Sequence, residues 1–131
     1  MGQYSEKLNS GGEFIVTEKD WRIEYYFLGP DLRYNGTRFS IPGMKIDRYI
    51  TAWQNNFKKY LQLKSTFSLD GSYETIGEEG MRICVGGCRE GVCIDGWHMN
   101  LNTQKKINEI VADYQKCKSK ATTIQSMLKS L

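Results

Sequence analysis

The amino-acid sequence predicts an α+β fold, an antiparallel sheet of about five to six strands packed by a central amphipathic helix and a C-terminal helix. Three observations support this. Apolar and polar residues alternate over residues 13–41, apolar residues recur at helical spacing over residues 45–63, and a second alternating region precedes a helical C-terminus. The chain has 131 residues, which suits a single domain over residues 13–131, because two domains would each be short of core.

The first twelve residues predict a flexible leader. They are polar, contain the adjacent glycines Gly11 and Gly12, and show no apolar period. Such a stretch offers little apolar surface to bury, so we expect the folded domain to begin at Glu13.

The first strands are predicted by period-two alternation. Phe14 and Val16 share one face of a short strand, and a polar turn follows. The next strand alternates polar residues with four large apolar ones: Trp21, Ile23, Tyr25 and Phe27. Gly29 and Pro30 end it, since proline has no N–H for the ladder, and a short strand over residues 37–41 follows.

The central helix is the clearest local feature. Its apolar residues recur every three or four positions: Ile46, Ile50, Trp53, Phe57 and Leu61. Polar residues occupy the opposite face, which predicts an amphipathic helix over residues 45–63. Because aromatic residues at this spacing are usual in protein cores, we expect the apolar stripe to pack on the sheet.

A hairpin is predicted in the second half of the chain, after a short strand over residues 73–76. Its strands are residues 81–85 and 92–99, which alternate or are apolar throughout. The sequence GGCREG at residues 86–91 supplies a glycine-rich turn between them.

Four potential metal ligands lie in and after this hairpin: Cys84, Cys88, Cys93 and His98. Their C-x3-C-x4-C-x4-H spacing superficially resembles a zinc site, but it contains no standard C-x2-C pair. We expect Val85 to pair with Val92. Cys84 then faces Cys93, whereas strand alternation points His98 to the opposite face. We therefore expect no metal, and cysteines that stay reduced in the cytosol and pack as small hydrophobic residues.

The C-terminal region allows two interpretations. Apolar residues from Ile107 to Leu131 fit one long helix. Alternation at Ile110, Ala112 and Tyr114 instead fits a strand, followed by a shorter helix. In both cases the chain ends on a helix.

The sequence predicts no catalytic residue and no cofactor. His98 is the one histidine and lies near Cys93 in the sequence, but no third group is evident to orient it for nucleophilic catalysis. The acidic residues that could form acid–base pairs fit a solvated surface: Glu74, Glu78, Glu79, Asp95 and Asp113. The glycine-rich turn lacks the Gly-Lys-Ser/Thr ending of a phosphate-binding loop.

Composition and charge favour a cytoplasmic protein whose partner is another protein. Lys and Arg total 18 against 15 Asp and Glu, and the sequence pI of about 8.6 is below that usual for nucleic-acid binders. No apolar run reaches the roughly 18 residues of a membrane span, and the N-terminus lacks the layout of a secretory signal. The eight tyrosines suit a protein interface, and no small-molecule site is evident.

The sequence GMRICV at residues 80–85, followed by GVCIDGWHM at residues 91–99, resembles the central part of WapI-like immunity proteins. In that family, a Pro/Gly break and an amphipathic helix like residues 46–61 precede this part. A strand with an acidic residue, where Asp113 stands here, and a short C-terminal helix like residues 121–131 follow it. The order of elements matches from about residue 13 to the C-terminus.

This resemblance implies a small cytosolic protein that neutralises a cognate toxin domain by occluding its active site or substrate groove. The family offers no catalytic residues to carry over to this sequence. We expect the hairpin to face the partner, with these residues in contact: Arg89, Glu90, Trp97 and His98. Two alternatives stay open, a phage or mobile-element accessory protein that inhibits a host defence complex and a small cysteine-rich metal-binding module.

Overall fold

The computed structural model describes residues 2–28, 34–67, 71–87, 89–94 and 100–131, and within them the fold is α+β. These residues form two antiparallel sheets, one of four strands and one of three, and two α-helices. The single sheet of about five to six strands is therefore corrected to two smaller sheets. The strands before the central helix pair with one another through short connections, and so do the strands after it, so the helix separates two local groups.

Backbone contacts group the chain into two compact units. The first unit comprises Met1–Asp47 and Ile110–Leu131, and the second comprises Arg48–Glu109. The central helix α1 (Ile46–Thr66) lies mostly in the second unit, and the C-terminal helix α2 (Gln104–Lys129) lies mostly in the first. The single domain predicted over residues 13–131 stays a prediction.

The first unit contains an antiparallel sheet in which each strand pairs with the next. Its strands are β1 (Tyr4–Lys7), β2 (Glu13–Val16), β3 (Trp21–Leu28) and β4 (Tyr34–Pro42). Phe14 pairs with Ile23, and Ile23 pairs with Ile41, so one row of fully buried side chains crosses three strands. The row agrees with the predicted strands, but burial does not alternate strictly along them, since Ile15 and Glu24 are buried as well.

The predicted flexible leader contains β1, which pairs with β2 from Tyr4 opposite Val16 to Lys7 opposite Glu13. The two glycines that suggested looseness form the connecting turn instead. Gly11 and Gly12 have φ angles of 91° and 92°, a left-handed conformation that glycine adopts at low cost. A Cβ atom at Gly12 would lie 2.7 Å from Cε1 of Tyr25, so the turn also requires the missing side chain.

Helix α2 is one long helix, and the alternative strand at residues 110–114 is wrong. Its buried residues recur at helical spacing along one face: Ile107, Ile110, Val111, Tyr114, Cys117 and Ala121. Thr103 precedes the helix, and its Oγ1 accepts a hydrogen bond of 3.2 Å from the backbone N–H of Lys106, as an N-cap residue does. The short C-terminal helix at residues 121–131 is corrected accordingly, since most of it continues α2.

In the first unit, α2 packs on the sheet through polar as well as apolar contacts. The backbone N–H and the hydroxyl of Ser10 both donate to Oδ2 of Asp113. The ammonium of Lys120 pairs with the carboxylate of Glu6 and lies 5.7 Å from the ring centroid of Phe14. These contacts connect the sheet to the middle of the helix.

The second unit contains a three-stranded antiparallel sheet in the order β5 (Tyr73–Ile76), β6 (Arg82–Val85), β7 (Gly91–Cys93). A short 3-10 helix, Glu78–Gly80, joins β5 to β6. The buried Asn56 of α1 holds this connection: its Nδ2 donates 3.0 Å to the carbonyl of Glu78, and its Oδ1 accepts 2.8 Å from the N–H of Glu78. One side-chain amide thus bonds to both backbone groups of Glu78, whose carbonyl also accepts 3.1 Å from the N–H of Met81.

The hairpin β6–β7 forms, but its register differs from the expected one. Cys84 pairs with Gly91 and Arg82 with Cys93, two positions away from the expected pairing of Cys84 with Cys93. A shift of two residues preserves the face on which each side chain lies, because side chains alternate with a period of two. At Gly91 in β7, a Cβ atom would lie 2.7 Å from the carbonyl oxygen of Leu101, so the close approach of these two backbones requires glycine.

Candidate protein-interaction surface

The structure describes two of the four residues predicted to face a partner. Arg89 and Glu90 lie in the connection between β6 and β7, and Arg89 is exposed. Trp97 and His98 lie outside the described residues. The partner-facing role of these four residues therefore stays a prediction. The candidate surface is described from Glu90 and the residues that surround it.

Glu90 makes contacts within the second unit. Its Oε1 accepts a hydrogen bond of 2.9 Å from the backbone N–H of Gly86, which holds the two ends of the turn together. Its Oε2 accepts 3.4 Å from the hydroxyl of Tyr60 and lies 3.6 Å from Nζ of Lys64. The hydrogen bond from Gly86 is the main cause that lowers the pKa of Glu90, and the positive charge of Lys64 adds to it. The hydrogen bond with Tyr60, followed by the charges of Tyr60 and Glu90, raises the pKa of Lys64.

An open cavity of about 330 Å³ adjoins Glu90. Phe67 and Tyr73 supply its aromatic wall, and their rings stack with centroids 5.0 Å apart and planes inclined by 23°. Lys64 and Glu90 supply opposite charges, and Val85 adds an apolar patch. A mostly apolar cavity with a few convergent polar groups is typical of sites that receive a side chain or a small ligand.

The cavity opens beside an exposed sheet edge. Tyr73 lines the cavity and begins β5, and its side chain is 40% exposed. At the other end of the strand, Ile76 is 59% exposed. Glu74 forms an ion pair of 2.7 Å with Nε of Arg82 on the neighbouring strand. Exposed apolar, aromatic and charged side chains thus lie together on four consecutive residues.

The 3-10 helix that follows β5 is held in an uncommon conformation. Glu79 has a φ of 54°, and among the described residues it is the one non-glycine residue in the left-handed region. Nη2 of Arg48 lies 2.9 Å from the Glu79 carboxylate, and the side-chain amide of Asn55 donates 3.0 Å to the Glu78 carboxylate. These two contacts with α1 fix the position of Glu78 and Glu79, which follow the end of β5.

A second apolar surface lies in the first unit. Trp21 packs edge to face on Phe14, with ring centroids 5.7 Å apart, and a Cβ atom at Gly43 would overlap its indole ring. An open cavity of about 470 Å³ is lined there by Trp21, and it includes Met44, whose side chain is 89% exposed. Met44 therefore offers a solvent-exposed apolar position far in sequence from the strand edge.

The cysteines that the structure describes are placed as core residues. Cys84, Cys93 and Cys117 are buried, and the thiols of Cys84 and Cys117 are free. Burial raises the pKa of Cys84, and burial raises the pKa of Cys117 to about 12. Both thiols are therefore protonated and weakly nucleophilic near neutral pH. Within the described residues, no three His, Cys, Asp or Glu side chains converge as metal ligands, whereas Cys88 and His98 lie outside them.

The aromatic cavity was not predicted from the sequence. Residues 73–76 were predicted to form a strand, and the central helix was predicted to end at residue 63, three residues before its end at Thr66. The stack of Phe67 on Tyr73 depends on chain geometry and leaves no local pattern.

Comparison of the chain with models of protein families, with curated proteins and with solved structures finds no match. In the part of the chain that the structure describes, neither helix combines the length and the apolar character needed to cross a bilayer. The candidate functional site is the exposed edge of β5 together with the cavity that adjoins it.

Proposed function

We propose that this chain is a binding protein that neutralises a cognate toxin domain by covering its active site or substrate groove. The observation that carries the proposal is the exposed edge of β5 beside the cavity of Phe67 and Tyr73. Tyrosine and arginine are enriched at the centres of protein interfaces, and this surface has Tyr73 and Arg89 exposed or partly exposed. The resemblance of residues 80–99 to WapI-like immunity proteins supplies the class of partner.

The proposed mechanism is occlusion by a preorganised surface. The contacts of Glu90 with Gly86 and Lys64, and those of Asn56 with Glu78, hold this surface in place before a partner arrives. Preorganisation favours affinity because less conformational entropy is lost on binding. Since α2 replaces the strand and short helix that the resemblance implies, the proposal rests on this surface and not on the order of elements.

Co-expression tests the proposal directly. A toxin domain encoded next to this chain in its native genome would be produced in a bacterial host with and without the chain, and growth would be followed. We expect restored growth and a one-to-one complex in light scattering coupled to size exclusion. A host that stops growing despite equal amounts of folded chain, with no complex, would overturn the proposal.

A variant pair locates the binding surface in the same assay. Ile76→Lys places a charge on the strand edge, whereas Met44→Lys places the same charge on an exposed residue of the first unit. We expect Ile76→Lys to weaken the complex by at least about tenfold and Met44→Lys to leave it unchanged. Equal affinities of the two variants would place the binding surface elsewhere.

A further inference from the structure

The hydrogen-bonding pattern of β5 identifies the backbone groups that point away from its partner strand. The N–H of Gly77 donates 2.7 Å to the carbonyl of Met81, which extends the ladder between β5 and β6. Hydrogen-bonded and non-hydrogen-bonded pairs alternate in an antiparallel ladder. The next hydrogen-bonded pairs are therefore Thr75 with Ile83 and Tyr73 with Val85. By the same alternation, the N–H and C=O groups of Glu74 and Ile76 point to the outer side.

Among the described residues, β5 pairs with β6 alone, so those outward groups form a sheet edge. The opposite edge of this sheet is covered in part: Val92 of β7 exchanges hydrogen bonds of 3.0 and 2.8 Å with Leu101. Natural sheet edges commonly carry lysine, proline or a bulge that discourages pairing. The four residues of β5 contain neither lysine nor proline, and their register with β6 is regular.

The outer strands of the first unit differ in this respect. The β1 strand carries Lys7, and β4 carries Arg38 and Pro42. The register between β3 and β4 also shifts between Tyr26 and Leu28. β5 is short and carries the charged Glu74, but it lacks the lysine, proline and register shift of these strands, and this difference favours it as the edge for strand addition.

Side chains at this edge define the chemistry of an added strand. Glu74 and Ile76 lie two positions apart and therefore share one face of the sheet. Residues 73–80 contain three glutamates and no lysine or arginine, and Arg82 and Arg48 neutralise two of them. Opposite charges and paired apolar residues stabilise neighbouring strands. A basic residue facing Glu74 and a β-branched residue facing Ile76 would therefore match the edge.

We propose that β5 binds an extended segment of a partner protein as a fourth strand, with a basic residue and a β-branched residue two positions apart facing Glu74 and Ile76. The inference deepens the proposed function and rests on it for the identity of the partner. A residue of the same segment opposite Tyr73 would place its side chain beside the cavity that Phe67 and Tyr73 line. Backbone hydrogen bonds supply affinity in this mode of recognition, and the side-chain positions supply specificity.

A second copy of this chain fits the edge less well. Symmetric antiparallel pairing of two β5 edges about Thr75 would place each Glu74 opposite an Ile76, so the second copy would bring no cation to Glu74 beyond its existing ion pair with Arg82. It would also bring together two acidic segments at residues 73–80. A monomeric protein in light scattering is expected, and a dimer abolished by Ile76→Lys would overturn the assignment to a basic partner.

Synthetic peptides test the edge with the full-length protein. The first probe is a capped nine-residue peptide of threonine and valine with one central lysine placed two positions after a valine, the order that antiparallel pairing with Glu74 and Ile76 requires. The second carries glutamate in place of lysine, and the third is the lysine peptide with N-methyl groups on alternate amides. Binding would be followed by nuclear magnetic resonance together with amide hydrogen exchange.

We expect the lysine peptide to bind and to slow exchange at the amides of Glu74 and Ile76 by at least about tenfold, since these become hydrogen-bonded. The glutamate peptide is expected to bind about tenfold more weakly, and the N-methylated one not to bind. Binding without protection of these two amides, or equal binding of the lysine and glutamate peptides, would overturn the proposal.

Two proline variants distinguish a loss of peptide binding at the edge of β5 from a loss of folding. Ile76→Pro removes an outward N–H while keeping the bonds to β6, whereas Thr75→Pro removes a bond of the ladder itself. We expect Ile76→Pro to stay folded and to lose peptide binding, and Thr75→Pro to be unstable. Ile76→Lys, which keeps the backbone intact, is expected to lose binding as well, and Met44→Lys is expected to retain it. A folded Ile76→Lys protein that still binds the peptide with wild-type affinity would contradict the assignment.

The two proposals fail in different ways. Toxin neutralisation that survives Ile76→Pro, in a variant that has lost the peptide, would overturn strand addition as the route to the toxin and leave the proposed function standing. Protection of Glu74 and Ile76 by the lysine peptide, in a protein that neutralises no neighbouring toxin, would support the strand edge and overturn the proposed function.

Discussion

The hydroxyl groups of Tyr25 and Tyr114 share a hydrogen bond in the interior of the first unit, joining β3 to α2 across 89 positions of the sequence. Both rings are completely buried. Burial raises the pKa of Tyr25 well above its ordinary value, and the neighbouring Tyr114 raises it further. The pair places a polar contact among apolar side chains, where a hydroxyl that loses its partner is costly.

We expect Tyr25→Phe and Tyr114→Phe each to lower the free energy of unfolding by about 1–2 kcal/mol, because each removes one partner of a buried hydrogen bond. The double variant should cost less than the sum of the two, since both hydroxyls are then removed. Urea denaturation of the three variants measures the coupling. Strictly additive losses would show that the hydroxyls do not interact.

Because the thiol of Cys117 is buried, we expect the protein to lose stability at alkaline pH. Burial raises the pKa of this thiol from an ordinary value of 9.0 to about 12. Because the pKa of the thiol is higher in the folded state, the protonated thiol contributes to the free energy of unfolding. This contribution is fully present below pH 9.0 and is lost as the pH rises toward 12. Between pH 8 and pH 10 the loss should be about 1 kcal/mol.

The control for this prediction is Cys117→Ala, which lacks the thiol. Its unfolding free energy should fall less between these two pH values than that of the wild-type protein, as measured by urea denaturation. Parallel pH profiles for the two proteins would contradict the role assigned to Cys117.

The two neighbouring asparagines of α1 should differ sharply. Asn56 is buried and bonds to both backbone groups of Glu78, whereas Asn55 is exposed and donates to the Glu78 carboxylate. We expect Asn56→Ala to lower the free energy of unfolding by about 2 kcal/mol and Asn55→Ala to change it by less than about 0.5 kcal/mol. Chemical denaturation of both variants tests this, and similar losses would refute it.

A glycine pair tests the turn between β1 and β2. Gly12→Ala forces a side chain into a left-handed position and against Tyr25, so we expect a loss of about 1–2 kcal/mol. Gly71→Ala is the control, because its Cβ atom would meet nothing within 4 Å. Thermal unfolding compares the two. A stable Gly12→Ala variant would mean that β1 is not held by this turn.

Sequence patterns predicted the helices and strands whose apolar residues recur at a regular spacing. The amphipathic stripe predicted α1 to within three residues of its end, and alternation predicted β2 and β3, whereas β5 was predicted from the glycines that bound it. The helix α1 shows its period in the sequence because it buries one face, whereas β5 has no buried residue. The long helix α2 was one of two interpretations, because Ile110 and Tyr114 fit both periods.

Features that depend on distant contacts could not be predicted in the same way. The division into two sheets depends on which strands meet, and β6 pairs with β7 in a register two positions away from the expected one. The glycines of the β1–β2 turn resembled a loose leader, because a left-handed turn and a flexible segment use the same residue. The cavity of Phe67 and Tyr73 arises from side chains brought together by the end of α1 and the start of β5.

The burial of Met81 at the start of β6 gives the second unit a chemical reporter. Met81 is 1% exposed, whereas Met44 and Met127 are 89% and 61% exposed. Mild peroxide should convert the two exposed residues to the sulfoxide in the native protein and reach Met81 only when β6 separates from its neighbours. The rate at which Met81 gains an oxygen, read by mass spectrometry, would therefore time the local opening of the sheet.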